Sequence, residues 1–93
     1  METKAILVRI EGRTQGVWFR GWTVQEATRR GLRGWVRNRL DGSVEAFFAG
    51  SDALVDEMVD ECRVGPPAAR VTNIRFTLTD DPGEVGFRVR PTL

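Results

Sequence analysis

From Glu11 to Gly21 the chain reads Glu11-Gly12-Arg13-Thr14-Gln15-Gly16-Val17-Trp18-Phe19-Arg20-Gly21. Glycines at such spacing let the backbone take positive φ, so that successive N–H groups can point into one concavity. A helix starting just beyond would add its positive dipole end and its free N–H donors. Arg20 stands at that start, where a planar guanidinium can grip a phosphate with two parallel hydrogen bonds. Together these groups describe an oxyanion cradle. The Gly-x₃-Gly-x₄-Gly spacing is not the dinucleotide fingerprint, and the Gly-Lys-Ser/Thr of a P-loop is missing. The same residues also fit a tight strand-to-helix turn carrying a solvated arginine. A second stretch, Gly34-Trp35-Val36-Arg37-Asn38, ends just before Asp41-Gly42. Asn38 there either closes a turn with its own side chain or uses its amide to orient a water or a polar substrate atom.

The rest of the composition narrows the chemistry. The 93 residues contain no histidine, which removes the commonest general base, the Ser-His and Cys-His pairs and the usual zinc sites. The lone Cys62 excludes an internal disulfide framework and any multi-cysteine metal site. A hydrophobic fraction of 41% with 29% charged residues is ordinary for a globular domain and argues against disorder. The net charge of +1 hides an asymmetry: residues 1–50 carry nine basic and five acidic residues, residues 51–93 five and eight. A basic half of this size suits a small anion. A pI of about 8.0 is low for a nucleic-acid-binding domain. No apolar run approaches a membrane span and Met1-Glu2-Thr3-Lys4 does not open a signal peptide, so a cytoplasmic protein away from any membrane is expected.

One domain covering residues 1–93 is expected, without repeats or linkers. Ala5–Glu11 alternates as a half-buried strand, and a short helix follows near Trp22–Arg30, with Glu26 and Arg30 an i,i+4 pair and Gly31 in the C′ position. Gly34–Arg39 and Val44–Ala49 read as strands joined through Asp41-Gly42, a hairpin signal. Ser51 stands where it can cap a second helix, with Leu54, Val55, Met58, Val59 and Cys62 on one face and acidic residues opposite. Val71–Leu78 and Gly86–Arg90 complete the set, the latter with Phe87 and Val89 inward. The order β-α-β-β-α-β plus a short terminal strand is the split βαβ, ferredoxin-like arrangement: an α+β fold with an antiparallel sheet and two helices on one face. In it the first strand and the strand ending at Asn38 are expected side by side, which sets Asn38 near the loop carrying Arg20. Cys62 and Met58 read as core, the acidic helix face as a solvated surface, and Arg29, Arg30, Arg33, Arg37 and Arg39 as scattered surface charge with some capacity to steer anions. Trp18 and Trp22 flank Phe19 and Arg20, as shields of the site or supports of the loop.

Both stretches together resemble the acylphosphatase family closely. Its loop signature, Gly-Arg-x-Gln-Gly-Val-x-Phe-Arg, stands here as Gly12 to Arg20, and its second, Gly-x-Val-x-Asn-x-x-Asp-Gly-x-Val-Glu, as Gly34 to Glu45. Thr14 departs from the valine more usual in the family. The resemblance covers nearly the whole chain and implies hydrolysis of acyl phosphates to a carboxylate and inorganic phosphate. Carried over by motif position, Arg20 is the phosphate-binding arginine and Asn38 orients the attacking water. The backbone amides of Gln15, Gly16, Val17, Trp18, Phe19 and Arg20 complete the cradle. This chemistry explains the missing residues, because a carboxylate leaves without a general acid and phosphoryl transfer asks mainly for positioning and charge stabilisation. No metal, cofactor or covalent intermediate is expected. The expected ligands are a small acyl phosphate and inorganic phosphate, the latter as product and inhibitor, bound by a free-standing monomer. An RNA-binding module on the same fold would carry an aromatic strand motif that does not occur here. A carrier or regulatory domain holding a partner's acyl or carbamoyl phosphate is the remaining alternative.

Overall fold

The computed structural model describes residues 2–93. Its elements are β1 (Thr3–Arg13), α1 (Phe19–Arg29), β2 (Arg33–Asn38), β3 (Val44–Ser51), α2 (Asp52–Val64), β4 (Arg70–Leu78) and β5 (Phe87–Val89). The sheet runs β4-β1-β3-β2-β5. The first four strands pair antiparallel, and β5 adds parallel to β2, so the sheet is mixed at that edge. β3 lies between β1 and β2, which corrects the expectation that those two are neighbours. Pairing partners are chosen by long-range burial, and the β1 residues Ile6, Val8 and Ile10 align with Phe48, Ala46 and Val44 on a shared apolar face.

That face holds the core. Ile6, Val8, Ile10, Val36, Val44, Ala46 and Phe48 of the sheet bury against Phe19 and Ala27 of α1 and Val55, Met58, Val59 and Cys62 of α2. Each of the Val, Ile, Phe and Met side chains among them contributes roughly 1.5–3 kcal/mol when fully buried. Arg30, whose side chain is 4% exposed, clamps the helices together by donating to Glu26 at 2.8 Å and Glu57 at 3.2 Å. Ser51 occupies the N-cap of α2 without a side-chain bond; the Asp52 N–H donates instead to the Glu2 carbonyl. The opposite face carries a smaller cluster of Ala5, Trp35, Phe47 and Ala49. Beside it the buried Glu45 faces Arg37 at 2.7 Å, Arg39 at 3.3 Å and Arg9 at 3.6 Å.

Strand direction decides where the loops meet. The end of β1 lies against the starts of β3 and β4, and β2 ends at Asn38 opposite Val44. The loop after β1, the start of α1 and the β2–β3 hairpin therefore share one end of the sheet.

Candidate active site

Residues 14 to 20 alternate between buried and exposed. Thr14, Val17 and Phe19 point inward and are at most 7% exposed, whereas Gly16, Trp18 and Arg20 face outward. Val17 and Phe19 belong to the main core, and Phe19 meets Trp22 edge to face at 5.3 Å between ring centres. The anchors fix the loop from beneath and turn its backbone toward solvent. Gly16 at φ 73° and Trp18 at φ 67° both take the left-handed conformation. For Trp18, a residue with a Cβ, this costs about 1–2 kcal/mol. The cost is met by the packing of its neighbours and by Gly21, over which the Trp18 indole lies so closely that a Cβ would overlap Nε1.

Helix α1 starts at Phe19, three residues before the expected position, because Trp18 serves as N-cap with no capping side chain to announce it. Its first turn holds no acidic residue, which leaves the positive end of the dipole uncompensated. The first helical bond runs from the Trp22 N–H to the Trp18 carbonyl at 3.0 Å. None of the backbone N–H groups from Gln15 to Gly21 donates to a protein acceptor among the described residues. Seven consecutive positions thus offer unspent donors around one loop.

Two side chains tie this loop to the β2–β3 hairpin. The Gln15 amide donates to the Arg39 carbonyl at 2.8 Å and the Ser43 carbonyl at 3.0 Å. The buried Thr14 hydroxyl donates to the Gly42 carbonyl at 3.1 Å. The hairpin is braced in turn by Asp41, whose Oδ1 accepts from the Ser43 hydroxyl at 2.6 Å and the Ser43 N–H at 2.9 Å. These bonds, led by that from the hydroxyl, hold the Asp41 carboxyl below the usual carboxylate range. Asn38 is thereby drawn to the loop although its strand is not next to β1.

The result is a cleft of about 250 Å³ lined by Thr14, Gln15, Gly16, Trp18, Phe19, Arg20, Gly21, Asn38 and Val89. Arg20 is exposed and forms no hydrogen bond or ion pair among the described residues. Asn38 Oδ1 is a buried acceptor with no protein partner. A lone buried acceptor at a cleft calls for a water or ligand donor. The cluster Arg29, Arg30, Arg33, Arg37 and Arg39 is by contrast spent on Glu26, Glu57, Asp81 and Glu45. A larger hollow of about 400 Å³ on the open sheet face includes Arg9, Glu45 and Arg75, but all three are committed to ion pairs. The cleft gathers free donors beside a free acceptor.

A family model for acylphosphatase matches residues 6–89. The chain belongs to the acylphosphatase family. An acylphosphatase of Rhodospirillum rubrum is 54% identical over 90 residues, covering 97% of this chain and 99% of the relative. One from Rhizobium meliloti is 55% identical over 89 residues, covering 95% and 94%. The crystal structure of acylphosphatase from Bacillus subtilis superposes with a TM-score of 0.91 at 33% identity, covering 96% of this chain and 99% of that one. The chain is thus an enzyme with acylphosphatase activity, on the ferredoxin-like α+β fold that its element order predicts.

Of the residues that the acylphosphatase signatures single out, Gln15, Gly16, Trp18, Phe19, Arg20 and Asn38 line one cleft. Val17 does not; its side chain is in the core and only its backbone faces the loop. Val89, expected inward, is 47% exposed and forms part of the cleft wall, while Phe87 stacks on Phe48 at 5.5 Å. Sequence reasoning missed the side chains of Thr14 and Gln15 as ties between the two motifs. An amide and a hydroxyl side by side in a glycine-rich loop were the only signal.

Proposed function

We propose that the cleft hydrolyses the carboxyl–phosphate bond of acyl phosphates by direct attack of water at phosphorus. The observation that carries this reading is the meeting of free donors and a free acceptor: the unspent amides from Gln15, the unpaired Arg20 and the unpartnered Asn38 Oδ1 border one cleft. Amides and guanidinium hold the phosphoryl oxygens, where they also stabilise the charge that spreads over them in a loose transition state. Asn38 Oδ1 accepts a hydrogen bond from the water and turns its lone pair toward phosphorus. The new bond forms from the water oxygen to phosphorus. The bridging P–O bond breaks, its electron pair leaving with the carboxylate, and the water's proton passes to a phosphoryl oxygen. Because a carboxylate is a weak base, no acid is needed to expel it, and a chain without histidine suffices. The reading asks for neither a metal nor a covalent intermediate, and it is complete within one chain, acting as a cytoplasmic monomer.

Inorganic phosphate is expected to inhibit competitively. Arg20→Lys should lower kcat/KM about 100-fold, since a point charge cannot reproduce two parallel hydrogen bonds. Phosphate that failed to compete, or a lysine variant with wild-type kcat/KM, would overturn the assignment.

A further inference from the structure

We propose that the indole of Trp18, with Val89 on the wall of the same cleft, is the platform for the acyl part of the substrate, and that the enzyme selects acyl phosphates with a flat, apolar acyl group. The proposal rests on the phosphate reading above and adds the other half of the substrate. Once the amides, Arg20 and Asn38 are assigned to phosphate and water, and the Thr14 and Gln15 side chains to the hairpin they bond, the exposed side chains left on the cleft wall are apolar. Trp18 is 60% exposed and Val89 is 47% exposed, the two large apolar groups that the cleft presents to solvent. The other aromatic ring there, Phe19, is buried in the core beneath Trp22. Arg20 is the only charged residue lining the cleft, so nothing remains to pair with a charged acyl group.

The indole is also held in place before any ligand arrives. Its backbone is fixed in the left-handed conformation, and its ring rests on Gly21, where any side chain would collide with it. A surface already ordered loses little freedom on binding and contributes its contact area in full. Trp18 is also the N-cap of α1, and its ring lines the same cleft as the loop whose amides hold the phosphoryl group. A flat acyl group bonded to that phosphoryl can lie along the ring.

The test compares kcat/KM for benzoyl phosphate with that for acetyl phosphate in the wild-type chain and three variants. Wild type should favour benzoyl phosphate. Trp18→Asn, a residue that tolerates positive φ, should lower the benzoyl-to-acetyl ratio about tenfold. Trp18→Phe should restore most of it, and Val89→Ser should lower it about threefold. A wild-type preference for acetyl phosphate, or a ratio unmoved in Trp18→Asn, overturns the proposal. Should Trp18→Asn not fold, Val89→Ser decides it by the same criterion. Inhibition of the wild type by inorganic phosphate separates the two readings. If phosphate does not compete, the cradle itself is wrong and the platform falls with it; if phosphate competes while the ratio stays fixed, the platform alone is wrong.

Discussion

Two hydrogen bonds from one amide decide where the loop stands relative to Asn38. Gln15 reaches carbonyls 24 and 28 residues away, on either side of the Asp41-Gly42 turn. Gln15→Ala would leave both carbonyls without that donor, which should cost about 1–2 kcal/mol of stability. It should also lower kcat about tenfold, because a reacting pair misplaced by a fraction of an ångström loses rate quickly. Calorimetry and a steady-state assay read the two effects; an unchanged kcat would show that the loop keeps its register without Gln15. Arg20 and Asn38 were legible as candidate site residues because their types match the chemistry and each sits at an element's end, and both line the cleft. The Gln15 tie was not, since its acceptors are backbone atoms that only the folded hairpin brings near.

At the scale of elements, the outward turn of the loop's amides is a by-product of anchoring. Val17 and Phe19 bury their side chains, and the residues between them have nowhere to turn but outward. Phe19→Ala should therefore cost about 3–5 kcal/mol and loosen the start of α1, where Gly65 packs so tightly on the Phe19 ring that it has no room for a Cβ. Equilibrium urea unfolding measures this; a loss below 1 kcal/mol would mean that the ring is not the anchor. Helix α2 was legible from its apolar face, and the hairpin from Asp41-Gly42. The start of α1 was not, because a tryptophan in the left-handed region replaces the usual polar cap. Neither was the place of β3 between β1 and β2, because strand order follows from how three apolar faces fit the same two helices. Phe76 and Leu78 alternate on the edge strand as expected, yet remain 53% and 73% exposed.

Across the whole molecule the uneven charge of the two halves resolves into pairs that join them. Lys4 meets Asp52 at 2.8 Å and Asp56 at 2.7 Å, Arg30 reaches Glu57, and Arg33 holds Asp81 at 2.6 Å. The basic half is therefore largely spent on structure; among the described residues Arg13 and Arg20 form no ion pair, and of the two only Arg20 lines the cleft. Hydrogen bonds to Ser43, Arg33 and Arg30 respectively, foremost among the causes, hold the carboxyls of Asp41, Asp81 and Glu26 below their usual range. Folding thus favours their ionised forms. Their contribution is complete above the unfolded value of about 4 and fades as pH falls through the lower folded values. Thermal stability should accordingly drop below about pH 4, while kcat stays level between about pH 5 and 8 because no histidine titrates there. A bell-shaped kcat centred near neutrality would point to a proton acceptor that this account lacks. Cys62 is fully buried and its thiol is pushed up by desolvation, so it should react with a thiol reagent only on unfolding.

The most direct test of the central claim is turnover of benzoyl phosphate by Asn38→Ala, in EDTA, beside its inhibition constant for inorganic phosphate. If Asn38 positions the water and the amides with Arg20 hold the phosphoryl group, kcat should fall at least about 100-fold while the phosphate constant moves less than about threefold. A folded Asn38→Ala enzyme with near wild-type kcat would contradict the account.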